Sequence, residues 1–431
     1  MKPAFLLRIL LLVSVNLAIL VVLLEIGGNL FFALENGRFF YTGARPKLDS
    51  YPDTNPFMSG EVRVVLHPYF GYGFKLNANM AARLPHVTFN NHGFLQSADY
   101  VRRNPACCDY PSVRSEPNEV IVGVFGGSVA ASLAVRMQET PTFTKALNAI
   151  PRFTNKPIRI LSFALGGHKQ PQQLMILTYY LSLGQPLDMI INVDGYNEIA
   201  TAPGNVDAGT DSNFPGLYMW RRLVDYLDRQ ANQAHNPEGV LANYHLIMTQ
   251  RWARHAGSCR TATCYSLARL VQFWHQNNSI DVASTTQASP AAPSFFQVDP
   301  PAATTQNRYD FAADRWGTAS EVMQQLSRAR NMLYLHVLQP NQWFRRKSPY
   351  SPRRADELAA YFNRIVPLGY AAFVAKGARL RESGVNFLDA SAVLDDEPSS
   401  IYSDDVGHYV PKGYDILWLA VVQALAAPEL R

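Results

Sequence analysis

Hydrophobic positions along the chain follow three different rhythms. The first is an unbroken run: from Ile9 to Leu24, sixteen residues carry no formal charge, and apolar character resumes after Glu25 through Leu34. A bilayer-spanning helix needs about 20 mostly apolar residues. The run therefore predicts a transmembrane anchor, with Arg8 snorkelling or Glu25 lying near an interface. A cleaved signal peptide is the rival reading. Its apolar core would be ~7–15 residues and would end in an Ala-x-Ala-like site; this core is longer and no such site follows it. Charge does not orient the segment, because Lys2 and Arg8 precede it and Arg38, Arg45 and Lys47 follow.

From residue 119 onward the rhythm alternates between short β-type runs and helical spacing. Strands are predicted at Val120–Phe125, Ile158–Ala164, Met189–Val193, Asn331–Leu338 and Val385–Asp389. Helices are predicted from the first strand through about Ala149, and at Pro171–Leu183, Ala355–Glu382 and Lys412–Ala427. Such alternation predicts an α/β fold with a parallel sheet and helices on both faces.

The third rhythm is irregular. Residues 36–118 are rich in aromatics and turns, as in His67-Pro68-Tyr69-Phe70-Gly71-Tyr72-Gly73 and Phe89-Asn90-Asn91-His92-Gly93-Phe94. They predict a small β-rich lead-in packed on the main domain, with Tyr69, Phe70 and Tyr72 as core residues rather than a sugar-stacking surface. His67 and His92 are expected to be structural. The gap at about 203–321 is long for an α/β connection. Leu217–Val271 has helical patterning, whereas Asn277–Gln306 is rich in Ser, Thr, Ala, Pro and Gln and reads as a flexible loop or linker. A lid beside the site and a tolerated surface insertion both fit such a gap. The expected organisation is an anchor at 1–35, a lead-in at 36–118 and a main domain at 119–431.

Composition narrows the function classes. With 431 residues, 48% of them hydrophobic, the chain can bury a large core. The net charge of +5 is scattered; Arg345-Arg346-Lys347 and Arg353-Arg354 form a local basic stretch that reads as a solvated loop, and no nucleic-acid signature accompanies it. Of the 4 cysteines, Cys107 adjoins Cys108 and Cys259 lies near Cys264. A Cys259–Cys264 bridge would close a short loop, a Cys107–Cys108 bridge would be strained, and cross-pairing stays open. Disulfides suit an extracytoplasmic compartment, periplasm or cell surface. His235, His245, His255 and His275 do not have metal-ligand spacing. No phosphate-cradling loop is present, and no cofactor is called for.

The chemistry concentrates in four short blocks. Gly126-Gly127-Ser128 follows the first strand and places a hydroxyl at the carboxyl edge of the sheet, where open α/β sheets bind ligands. Gly166-Gly167 follows the second strand, with Gln172 and Gln173 close behind. Gly195-Tyr196-Asn197-Glu198 follows the third, and Asp405-Val406-Gly407-His408 lies near the C-terminus. In this order the blocks resemble the SGNH/GDSL hydrolase superfamily, named for its Ser, Gly, Asn and His blocks, in its membrane-anchored bacterial form. Two departures stand out: the first block reads Gly-Gly-Ser rather than Gly-Asp-Ser, and the second lacks the Asn-x-Gly that often precedes its glycine.

The resemblance implies a flavodoxin-like three-layer αβα fold and a serine esterase. Ser128 would be the nucleophile, His408 the base and Asp405 the acid that orients it. The N–H groups of Ser128 and Gly167 and the amide of Asn197 would form the oxyanion hole, each donor worth on the order of 100- to 1000-fold in turnover. Asp404 is the adjacent alternative acid, one residue too far for the family spacing. Asp194 and Glu198 read as turn and surface residues. The implied substrate is an acyl ester, acetyl for instance, on a cell-envelope or secreted polysaccharide. An O-acyltransferase using the same blocks, and a non-catalytic envelope-assembly protein keeping the fold, are the alternatives.

Overall fold

The computed structural model describes residues 3–42, 62–76, 86–207, 211–216, 237–285, 305–344 and 357–427. The basic stretch at 345–354 and His235 lie outside the described residues. The first described element is helix α1 (Pro3–Asn36). Two antiparallel hairpins follow, β1–β2 (Val62–His67, Gly71–Leu76) and β3–β4 (Val87–Phe89, Leu95–Ser97), then the short helix α2 (Ala98–Arg103). Alternation begins with β5 (Val120–Gly126), α3 (Ser128–Glu139), α4 (Pro141–Asn148) and β6 (Ile158–Ala164). It continues through α5 (Gln172–Ser182), β7 (Met189–Asp194) and α6 (Tyr196–Asp207). Helices α7 (Pro237–Ser258), α8 (Ala262–Thr285) and α9 (Thr305–Ala329) occupy the long gap. After them come β8 (Leu333–Leu338), α10 (Glu357–Glu382), β9 (Phe387–Asp389) and α11 (Pro411–Ala426).

The chain divides into two compact units, each discontinuous in sequence. One is Gly60–Val224 with Phe296–Arg431; the other is Met1–Ser59 with Asp225–Phe295. The lead-in hairpins and α9 fall in the unit with the sheet, whereas α7 and α8 of the insertion fall in the unit with the anchor helix.

The larger unit is built on a five-stranded sheet of order β6-β5-β7-β8-β9, parallel throughout. This is the flavodoxin-like 2-1-3-4-5 order, and its switch point lies between β5 and β7. All residues of β5 are buried because it has a strand on each side and helices on each face. Val120, Val122 and Val124 join a core with α3, α4 and α11. On the opposite face Phe125 stacks on Phe163 of β6, which meets Tyr180 of α5, while Trp316 of α9 lies against His336 of β8 and Phe373 of α10. Three layers result, as the alternating pattern predicts.

The Ile158–Ala164 strand matches its predicted bounds, and the other strands differ by a few residues at their ends. The single helix predicted after β5 is two, because Pro141 has no N–H to continue α3 and instead opens α4. The linker expected from Asn277 is helical through Thr285; its remainder, at 286–304, lies outside the described residues. Both disulfides are local, Cys107–Cys108 and Cys259–Cys264.

The lead-in covers an otherwise open sheet edge. Strand β6 is terminal, and an unpaired edge invites association with other chains. Here Tyr110 Oη donates to the Ser162 carbonyl (2.8 Å) and Gln138 Nε2 to the Ile160 carbonyl (2.9 Å), while Ile160 N–H reaches Tyr100 Oη (3.2 Å). Gln138 also accepts from Ser97 N–H at 2.7 Å, tying β4 to α3. Phe70 and Tyr72 are buried as expected, but Tyr69 is 66% exposed.

Candidate active site

Three of the four blocks leave adjacent strands at one sheet edge. Gly126 at the end of β5 is in register with Ala164 of β6 and Val193 of β7, so the segments that follow converge. Two glycines make the convergence possible. Gly126 holds φ +139°, and a Cβ there would lie 2.0 Å from the Val193 carbonyl oxygen; at Gly127 it would lie 2.2 Å from Asn197 Nδ2. No other residue fits either position. Ser128 then begins α3, where N–H groups have no intrahelical partner.

Burial singles out the block residues. In each of the three segments the neighbours are buried, and Ser128, Gly167 and Asn197 are the partly accessible ones. Ser128 Oγ lies 2.7 Å from His408 Nε2, across 280 residues of sequence. His408 Nδ1 lies 2.5 Å from Oδ2 of Asp404. Sequence spacing nominated Asp405, and the structure corrects that assignment: the carboxylate on His408 belongs to Asp404. Its other oxygen, Oδ1, accepts the N–H groups of Val406 (3.0 Å) and His408 (3.1 Å), so the carboxylate closes the turn that presents the imidazole. Burial alone would raise the Asp404 pKa, but the hydrogen bonds and charge of His408 outweigh it and hold the carboxyl below its ordinary value. Asp405 is placed by its backbone, whose carbonyl accepts from Trp343 Nε1 at 3.0 Å. Gln342 Nε2 similarly holds the Asp404 carbonyl (3.0 Å), so the segment after β8 fixes the His408 loop from below.

Asn197 Nδ2 donates to the His168 carbonyl at 2.8 Å. An amide nitrogen carries two hydrogens, so one fixes the side chain and the second remains for a ligand. His168 is itself buried; its Nε2–H donates to the Tyr72 carbonyl at 3.1 Å, and Tyr72 Oη donates to the Gly166 carbonyl at 3.1 Å. The lead-in hairpin thus braces the loop that carries Gly167.

The structure corrects the reading of Asp194 and Glu198 as surface residues; both are buried. Glu198 accepts the Gln170 N–H on one oxygen (2.8 Å) and the Gly195 N–H on the other (3.0 Å), so one carboxylate joins the loop after β6 to the turn after β7. Burial and then Asp194 push its pKa up, and burial pulls that of nearby Lys169 down, drawing both towards their neutral forms. Asp194 accepts from Trp316 Nε1 (2.6 Å), His336 Nε2 (2.8 Å) and Asn192 Nδ2 (2.7 Å), anchoring the end of β7.

Among the described residues, a grouping with metal-ligand proximity is His255 with Cys259 and Cys264. The two sulfurs are bonded to each other, so neither offers a thiolate.

Histidines under the hairpin make stability pH-dependent. Burial pulls the His168 pKa down to about 3; burial and then His92 pull His67 down to about 4. The unfolded chain binds these protons more tightly, so the stabilisation is complete above about pH 6.5 and is lost as pH falls towards the folded-state values. For His168 alone, moving from pH 7.5 to 5 is expected to cost about 2 kcal/mol. His168→Gln should flatten the dependence of the unfolding midpoint on pH, and an unchanged slope would contradict the assignment.

No protein-family model and no curated protein matches the chain. Among solved structures, a candidate acylhydrolase from Bacteroides fragilis is similar at 12% identity and a TM-score of 0.35, over 77% of this chain and 96% of that one. A GDSL-like lipase from Bacteroides thetaiotaomicron is similar at 10% identity and a TM-score of 0.35, over 76% and 95%. The site's chemistry rests on its own geometry.

Proposed function

We propose that the protein is a serine-dependent hydrolase of acyl oxygen esters, held at a membrane by α1. The observation that carries this reading is the continuous chain Asp404–His408–Ser128, with links of 2.5 and 2.7 Å, at the carboxyl edge of the sheet. Ser128 Oγ attacks the ester carbonyl as its proton passes to His408 Nε2, and the imidazolium is stabilised by Asp404. The tetrahedral oxyanion is met by the N–H groups of Ser128 and Gly167 and the free amide hydrogen of Asn197. His408 returns the proton to the departing alkoxide, leaving an acyl-serine. Water then gives its proton to His408, attacks the acyl carbon, and releases the acid as the proton returns to Ser128.

The reading extends to an acyl group on an extracytoplasmic polysaccharide. Its support is the exposed ring of Tyr69, 5.2 Å from that of Tyr179, on the hairpin that braces the Gly167 loop; such rings stack on sugar faces. The two disulfides support the compartment. Treating the full-length protein with a fluorophosphonate and mapping the adduct by mass spectrometry tests the reading. An adduct on Ser128 is expected, and a folded protein that forms none there overturns it.

A further inference from the structure

The smaller unit has an internal boundary along α1. Residues Leu11–Asn36 form a helix long and apolar enough to cross a bilayer. Every side chain from Leu11 to Leu24 is exposed, and packing begins at Glu25. There the carboxylate caps α8: Oε1 accepts the Ala262 N–H (2.7 Å), Oε2 accepts the Thr263 N–H (3.1 Å) and hydroxyl (2.6 Å), and Tyr41 Oη donates as well. Backbones approach closely at Gly28, where a Cβ would lie 2.6 Å from the Ala262 carbonyl carbon. Further along, Phe32 packs on Phe40 and Tyr265, and Glu35 receives Tyr265 Oη (2.8 Å) and Arg269 Nε (2.8 Å). The bare part of α1 therefore ends where the tip of the α7–α8 hairpin begins. Removing α1 would strip Glu25, Phe32 and Glu35 from the core that holds this hairpin.

A hydrocarbon core of about 30 Å takes about 20 helical residues. The charge-free run Ile9–Leu24 fills most of it, so Glu25 and the tip beside it lie at the level of the headgroups. That tip, closed by Cys259–Cys264, exposes Arg260 in its turn, with His255 and Arg251 one turn apart on α7. Arg251, His255 and Arg260 form no ion pair among the described residues, and Glu25 is fully engaged by donors. Arg260 at that depth, with Arg251 about two turns further along α7, fits an anionic lipid surface, whose potential falls off over a Debye length of roughly 8–10 Å.

We propose that the tip of the α7–α8 hairpin, through Arg260, Arg251 and His255, binds the phosphate-bearing headgroups of anionic phospholipids beside α1. The inference depends on α1 spanning the bilayer and is independent of the esterase reading.

The test places full-length protein in nanodiscs of phosphatidylcholine alone or mixed with phosphatidylglycerol. Phenylglyoxal labelling of Arg260 and Arg251 is then followed by mass spectrometry, with exposed Arg152 of the larger unit as internal reference. Labelling of Arg260 relative to Arg152 is expected to slow by roughly tenfold in the anionic discs. Arg251→Gln should return Arg260 part of the way to its zwitterionic rate. Equal rates in the two lipids overturn the proposal, and so does equal shielding in both relative to detergent, which would mean burial without headgroup charge. Protein recovered outside the discs would remove its premise, the span itself.

Discussion

Turnover of an activated aryl ester is expected to fall on the order of 10^6-fold in His408→Ala. Among the described residues the imidazole is the basic group placed on Ser128 Oγ, at 2.7 Å, and without it the hydroxyl proton loses that acceptor during attack. The change is local. The Asp404 carboxylate keeps the Val406 N–H on its other oxygen, and the β8 loop keeps its hold on the turn. Circular dichroism and the unfolding midpoint should therefore stay close to those of the unaltered protein. Activity within tenfold of the unaltered protein, in a folded variant, would dismiss Ser128 and His408 as a pair.

Asp404→Asn should cost about 10^4-fold in kcat, whereas Asp405→Asn should change it by no more than a few-fold. An amide in place of the carboxylate can present its NH2 to His408 Nδ1, which selects the tautomer with the proton on Nε2 and leaves nothing to take the serine proton. The imidazolium would also lose its counter-charge. Measuring kcat for both variants on one ester decides between the two aspartates, and the reverse ranking would restore Asp405.

That choice marks where sequence reading stopped. The strands of the sheet were legible because each is a short apolar run feeding a glycine turn, and Ile158–Ala164 was placed to the residue. Ser128 and His408 were legible through the order of the four blocks that carries the family resemblance, and the structure brings that pair together at 2.7 Å. Asp404 and Asp405 sit side by side, and only the turn geometry, with Asp404 Oδ1 accepting two N–H groups, selects between them. Glu198 was misplaced because an isolated carboxylate in a sequence reads as solvated. Its burial follows from two N–H groups contributed by separate loops, a fact that exists only in three dimensions. The partnership of α1 with α8 was hidden for the same reason: it joins Glu25 to Thr263 across 238 residues.

That sequence distance has a consequence for biosynthesis. At roughly 5–20 residues per second on the ribosome, the partner of Glu25 emerges some tens of seconds after Glu25 itself. During that interval the first strands of the sheet are made, yet β8, β9 and the His408 loop are still to come. Neither unit can close until chain belonging to the other has been synthesised. Assembly of this protein is thus interleaved, and a chaperone that shields half-built surfaces should matter more to its yield than the stability of either finished unit.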